Sequence, residues 1–143
     1  MKMLTVVERV LLLQTINLFS DVNTEQLSFL AAIAEEITVG PGRVIYREND
    51  APDGLYVVVS GTLMMRRGGA DIDRIGPGGS FGVWALFDGA PRLTSAETID
   101  QSRLLFISRD DFYEALSDHV DIVEGLFKHL VQRLRKLVSA VEV

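Results

Sequence analysis

Hydrophobic and polar positions follow a helical period at both ends of this chain and a strand-like period between them. From about Thr5 to Asn17, apolar residues fall at Leu4, Val7, Leu11 and Leu18, with a second row at Val6, Val10 and Leu13. Steps of three and four predict an amphipathic helix. Asn23, with Gln26 three residues on, reads as a capping box, and a second helix follows through Leu27, Leu30, Ala31 and Ala34. Asp21 and Val22 sit in the turn between the two helices.

After Glu36 the period changes. Pro41-Gly42 marks a turn, and Val44-Ile45-Tyr46 is a short strand. The turn cluster Asn49 to Gly54 precedes Leu55-Tyr56-Val57-Val58-Val59, a β-branched and aromatic run expected to be a buried strand. Ser60-Gly61 turns the chain into Thr62 to Arg66, and Gly68-Gly69 predicts a hairpin from there into Asp71 to Ile75. Gly76-Pro77-Gly78-Gly79 is another turn, followed later by Thr94 to Ile99 and Arg103 to Ile107. Many short strands with frequent turns predict a sandwich or barrel and not βαβ units.

Beyond Ser108 the helical period returns. Ser108 is placed as an N-cap, with Asp110 and Asp111 in the first turn of a helix running to about Asp118. The last helix runs from about Val120 to the end, with Gly125 as its weak point. Val120, Val123, Phe127, Leu130, Leu134, Leu137 and Val141 form a heptad-like seam, and Ile122, Leu126, Val131 and Val138 a second row. One stripe is expected to cover the strands, the other to meet a partner, such as the same helix of a second copy. The alternative is that both stripes are core in a short bundle with the N-terminal helices.

The 143 residues suffice for a single domain. Its parts are helices over 1–35, strands over 36–107 and helices over 108–143. Hydrophobic residues at 48% and charged residues at 24% give a soluble-globular balance. The mean hydropathy of +0.22 fits a domain that buries surface against a partner or a neighbouring domain. A net charge of −6 argues against steering toward nucleic acid or anionic lipid. The basic cluster Arg133, Arg135 and Lys136 is read as cations suited to the last turns of a helix. The absence of cysteine excludes disulfides and thiolate metal sites and suits a reducing cytoplasm. Glu8 and Arg9 interrupt the first apolar run, so no signal peptide is expected. No uncharged apolar stretch approaches the roughly 20 residues of a membrane span, so no direct membrane insertion is expected.

The candidate chemistry lies in Phe81-Gly82-Val83-Trp84-Ala85-Leu86-Phe87-Asp88-Gly89-Ala90-Pro91-Arg92-Leu93-Thr94-Ser95. A glycine turn, a short apolar helical turn, a second turn and then Pro-Arg suit the holding of a phosphate. Together with Pro41 to Asp50 and Leu55 to Gly61, this stretch resembles the cyclic-nucleotide-binding domain family. The first of those segments is similar to the family's opening hairpin, the second to its central strand and turn, and Gly76 to Arg92 to its phosphate-binding cassette.

The resemblance implies a mainly β fold with flanking helices (α+β). It would be a double-stranded β-helix or jelly-roll-like β-roll, with N-terminal helices and a long C-terminal helix. It implies a regulatory module that senses a cyclic nucleotide, cyclic AMP or cyclic GMP, or a related small anion. The candidate site is Gly82, Val83, Trp84, Ala85, Arg92, Leu93 and Thr94, with Gln132 and Arg133 as polar candidates on a helix that lids the ligand. Arg92 matches the family's phosphate arginine. Val83 stands where the family typically has a glutamate for the ribose 2′-hydroxyl, and Leu93 where a small hydroxyl residue usually follows the arginine. The missing carboxylate costs on the order of 1.5–3 kcal/mol, ten- to a hundred-fold in affinity. The missing hydroxyl costs roughly another tenfold. Thr94, one residue further, is expected on the opposite strand face.

The rival expectation is a degenerate roll whose pocket is filled by Val83, Trp84 and Leu93. Such a roll would serve as a protein-interaction or dimerisation module within a larger protein, with Arg92 paired to an acid such as Glu97. Trp84 is expected in core or pocket packing before base stacking. Asn49 stands where the family has a turn glycine, and asparagine tolerates positive φ best among other residues. Asp71 and Asp73 are read as an exposed hairpin face. Gly76-Pro77-Gly78-Gly79 lacks the Lys-Ser/Thr of a P-loop. His119 and His129 both lie in the terminal helices, so no metal site is expected. No nucleophile elbow or acid–base pair points to catalysis, so neither an enzyme nor a cofactor is expected. The chain carries no helix-turn-helix segment after its last helix, and no nucleic-acid partner is expected.

Overall fold

The structure is a computed structural model that describes residues 2–141, the side chains of 85, 140 and 141 excepted. The Ala85 side chain and the Val141 end of the helical seam therefore lie outside the described set. Two N-terminal helices, α1 (Val6–Leu13) and α2 (Thr24–Ile33), flank a 3-10 turn at Asn17–Phe19. The strands are β1 (Glu35–Val39), β2 (Val44–Tyr46), β3 (Gly54–Ser60), β4 (Leu63–Arg67), β5 (Ala70–Ile75) and β6 (Ser80–Phe81), then β7 (Ser95–Thr98) and β8 (Ser102–Ser108). The short helix α3 (Ala85–Asp88) interrupts them, and α4 (Arg109–Asp118) and α5 (Val120–Val141) close the chain.

The strands form two antiparallel four-stranded sheets among the described residues, ordered β1-β8-β3-β6 and β2-β7-β4-β5. This is the β-roll with flanking helices expected from the sequence. The continuous apolar run of β3 is explained by burial on both faces. Leu55 and Val57 join the helical core with Phe19, Leu27, Phe112 and Ile122. Tyr56 and Val58 join the roll interior with Leu63, Met65, Phe81 and Ala96. On β8, Leu105 and Ile107 likewise face the helices while Leu104 faces the roll.

Local chemistry sets the element ends. Asn23 and Gln26 form the capping box, Ser108 caps α4 through the Asp111 N–H at 3.1 Å, and Gly68 and Gly69 take positive φ in the β4–β5 hairpin. Thr5 and Glu8 make a second capping box at the start of α1. Of the two apolar rows on α1, Val10 and Leu13 face the core, whereas Val7 and Leu11 stay exposed. β1 was not anticipated, because its paired glutamates hide the alternation. Gly125 is a close approach: a Cβ there would meet the Asp21 carbonyl oxygen at 2.7 Å, where α5 crosses the α1–α2 turn.

The final helix corrects the bundle alternative. Ile122 and Leu126 are buried against the body, but Val120, Phe127, Val131, Leu134, Leu137 and Val138 are exposed. One stripe covers the body only over the first half of α5.

A charge network fastens the N-terminal segment to β1 and β8. Glu36, 10% exposed, accepts from the Leu4 N–H at 3.1 Å, from Arg9 at 3.3 Å and from Arg103. Burial pushes this carboxyl up, but the Leu4 N–H and the two guanidiniums outweigh it and hold it below its ordinary 4.5. A depressed carboxyl stabilises the fold above that ordinary value, and the contribution is lost as pH falls through the folded-state value. Glu36→Gln is expected to cost about 1–3 kcal/mol at neutral pH, as charged hydrogen bonds are lost. The gap to wild type should narrow below pH 4.5. Thermal melts of both proteins across that range check this, and a gap constant with pH would refute it.

Candidate functional site

The site is built around a buried arginine. Arg92 is 5% exposed, and its guanidinium is held from three directions. Nη2 donates to Asp53 Oδ1 at 2.6 Å and to the Gly54 carbonyl at 2.8 Å, and Nη1 donates to the Gly82 carbonyl at 3.2 Å. The Tyr46 ring lies beneath, its centroid 4.0 Å from Cζ, a cation–π contact. The Arg92 Nε is buried without a hydrogen-bond partner among the described residues. Asp53 is half exposed and also accepts from the Tyr56 hydroxyl at 2.7 Å. Burial and this bond to Asp53 push the Tyr56 phenol up, so it remains a donor. Burial likewise raises Tyr46, against the opposing pull of Arg92.

The backbone places Arg92 with equal care. The Asn49 N–H donates to the Arg92 carbonyl at 2.8 Å, and the Arg92 N–H donates to the Asp50 carbonyl at 2.9 Å. Asn49 adopts φ 70°, as expected of the residue in the glycine position. Gly82 has φ 75°, and a Cβ there would stand 2.5 Å from Arg92 Nη1. Only glycine lets the cassette close on the guanidinium.

Beside Arg92 opens a cleft of about 430 Å³, lined by Tyr46, Gly82, Val83, Trp84, Asp88, Ala90, Pro91, Leu93 and Thr94. Of the cassette residues singled out in the sequence, Gly82, Val83, Trp84, Arg92, Leu93 and Thr94 come together here. Trp84 is 60% exposed and Leu93 73% exposed, so they form its rim and do not fill it. The core or pocket packing expected for Trp84 is not found. Leu93 and Thr94 lie in a bend before β7, so strand alternation does not apply to them, and Thr94 lines the same cleft as Arg92. The Asp88 carboxylate, which accepts from the Ala90 N–H at 2.9 Å, is the unfavourable neighbour for an anion here.

Glu97 is not the partner of Arg92; it pairs with Arg66 at 2.5 Å, as does Asp71 at 2.8 Å on the exposed β5 face. Asp53, Tyr46 and Tyr56 were missed. Asp53 lies 39 residues from Arg92 in sequence, and nothing local to either marks the pair. Arg133 lies over the Trp84 ring at 5.8 Å, but neither it nor Gln132 lines the cleft beside Arg92.

The cassette is anchored to the helices behind it. Leu86 is fully buried in the helical core, and Phe87 packs edge-on against Phe112 of α4 at 5.8 Å. Arg109, the first residue of α4, donates to the Leu86 carbonyl at 3.3 Å.

Residues 36–119 match the cyclic nucleotide-binding domain family. The chain belongs to that family. A CRP-like cAMP-activated global transcriptional regulator of Mycobacterium tuberculosis is 28% identical over 124 residues, covering 83% of this chain and 55% of the relative. The domain thus spans about half the length of that curated relative. The N-terminal domain of a transcriptional regulator from Streptomyces coelicolor A3(2) superposes with a TM-score of 0.83 at 28% identity, covering 90% of this chain and 96% of that one. A cyclic nucleotide-binding-like protein from Brucella abortus gives a TM-score of 0.69 at 33% identity, covering 76% and 97% of the two chains.

In this member of the family, the Asp53 carboxylate is the anion paired with Arg92. Asp53→Asn is expected to destabilise the empty domain by about 1–2 kcal/mol, because a charged hydrogen bond is weakened. The same change should tighten binding of a phosphate-bearing ligand, since the competing carboxylate is gone. Denaturant midpoints and a ligand titration of both proteins measure the two effects. Weaker binding by the variant would show that Asp53 orients Arg92 and does not compete for it.

Proposed function

We propose that this domain is the sensory, non-enzymatic part of a larger intracellular regulator. Its ligand is a cyclic nucleotide, cyclic AMP or cyclic GMP. The observation that carries this reading is the open cleft of about 430 Å³ next to a preformed arginine clamp. That volume falls within the ordinary range for small-molecule sites, roughly 300–1,000 Å³. The cyclic phosphate exchanges with the Asp53 carboxylate on Nη2, one anion for another, and Thr94 supplies a hydroxyl that Leu93 lacks. Val83 leaves the ribose hydroxyl without a charged acceptor, so affinity is low. Cassette displacement reaches α4 through Leu86, Phe87 and the Arg109 bond, and from α4 it reaches α5. Ligand shifts the population of helix positions.

The absence of cysteine supports a reducing compartment, and no described helix is long and apolar enough to cross a membrane. The net charge of −6 supports a domain that does not itself contact nucleic acid.

Cyclic AMP at 100 times its Kd should add about 2.7 kcal/mol of stability. Val83→Glu should tighten binding about ten- to a hundred-fold. It should also create a preference for the ribose over the 2′-deoxy ligand that the wild type lacks. Calorimetric titration with both ligands checks this. No binding by either protein at millimolar concentration would sink the sensory reading.

The second reading, dimerisation, draws on the exposed face of α5. Phe127 at 62%, Leu134 at 61% and Leu137 at 62% exposure lie on the side away from the body. We infer that a second copy's α5 covers them. Sedimentation equilibrium should show a dimer, and Phe127→Glu with Leu134→Glu should return it to a monomer with its melting temperature on dilution unchanged. A monomeric wild type at high micromolar concentration would exclude this face as a self-interface.

A further inference from the structure

The middle of α5 flanks a second cavity of about 430 Å³, set apart from the Arg92 cleft. It is lined by Asn17, Ser20 and Asp21 from the α1–α2 connection and by His129, Gln132, Arg133 and Lys136 from α5. Every one of these side chains is polar, in a chain whose residues are 48% hydrophobic. His129, Arg133 and Lys136 follow at steps of four and three, so they share one face of the helix.

The helix dipole does not explain them. Its effect is confined to the last turn, and the last turn of α5 holds no basic residue. The sequence-based reading of this cluster as end-of-helix cations is therefore corrected. Among the described residues, neither Arg133 nor Lys136 has an ion-pair partner. The Asp21 carboxylate lies 3.5 Å from His129 Nδ1, an ion pair when the ring is protonated, and the Ser20 hydroxyl sits 2.9 Å from the same nitrogen. His129 Nε2 is buried without a partner among the described residues.

The geometry points to a second anion site here, taking the phosphate group of a small phosphorylated molecule. Arg133 and Lys136 supply the charge, and Asn17, Ser20 and Gln132 supply neutral polar groups. The volume exceeds what bare phosphate fills, which leaves room for the remainder of a small metabolite. Arg133 gives the site its consequence. It also lines a neighbouring cavity of about 250 Å³ with Gly82, Val83 and Trp84, and its guanidinium lies over the Trp84 ring. An anion in the polar cavity draws Arg133 off the cassette, so the two sites are coupled, and each ligand alters the affinity of the other by the same factor.

Inorganic pyrophosphate is the probe. Titrated into the full chain, it should shift the His129 ring resonances saturably, leave those of His119 in place, and change the fluorescence of Trp84, the single tryptophan. Arg133→Gln with Lys136→Gln, both at exposed positions, should weaken binding at least about tenfold with an unchanged melting temperature. The response should persist in Arg92→Lys. Three results would each overturn the site: no saturation, an equal response to sodium chloride at matched ionic strength, or a response lost in Arg92→Lys but kept in the double variant.

Discussion

A guanidinium taken out of water must find its compensation inside the protein, and for Arg92 three separate stretches of chain supply it. The β2–β3 turn and the first residue of β3 bring Asp53 and the Gly54 carbonyl, the cassette brings the Gly82 carbonyl, and β2 brings the face of Tyr46. The backbone conformations around it follow from this demand. Gly82 must lack a Cβ because Nη1 is where that atom would press. Asn49 must accept positive φ because its N–H and the next carbonyl pair with the Arg92 backbone. The one charge organises loops that share no local sequence logic.

The same arrangement sets the cassette between two cores. Phe81 belongs to the roll interior with Tyr46 and Tyr56, whereas Leu86, five residues on, belongs to the helical core with Phe112. Gly82, at positive φ, is where the chain passes from one to the other. A packed core resists continuous deformation. A cassette rooted in both is tied to α4 through Leu86 and Arg109, so a displacement of one would carry the other. The proposed exchange of Asp53 for a ligand phosphate would be a small electrostatic event, but it would fall at the point where both layers meet.

Most of the fold was legible because its signals are local. Asn23 with Gln26, Ser108 with its acidic first turn, the Gly68-Gly69 hairpin and the unbroken apolar run of β3 each carry their cause within a few residues. β1 was illegible because Glu35 and Glu36 occupy its opening positions, and Glu36 is buried by pairing with Arg9 and Arg103 from distant segments. The cassette and Arg92 could likewise be located, while the state of the cleft could not. Whether Trp84 and Leu93 fill it depends on a bend at Leu93-Thr94, which strand periodicity does not register. The Asp53 partner is a long-range electrostatic choice between acids. Glu97 was the nearer candidate in sequence, but Arg66 had already claimed it.

The terminal helix joins these threads. At 22 residues α5 is about 33 Å long, yet only its first half is fastened to the body. The fastening consists of Ile122 and Leu126 in the helical core, Gly125 against the Asp21 carbonyl, and His129 against Ser20 and Asp21. Arg133 is the last residue to touch the cassette, and beyond it both apolar rows face outward. A lever held at one end magnifies small rotations at its base. The polar cavity and the Arg133–Trp84 contact lie where this fastening ends, so displacement there alters the direction in which the exposed Leu134 and Leu137 beyond it are presented. The proposed sensing at the cassette and the proposed recognition along α5 would thus be joined through one mechanical element, with Arg133 as the link between them.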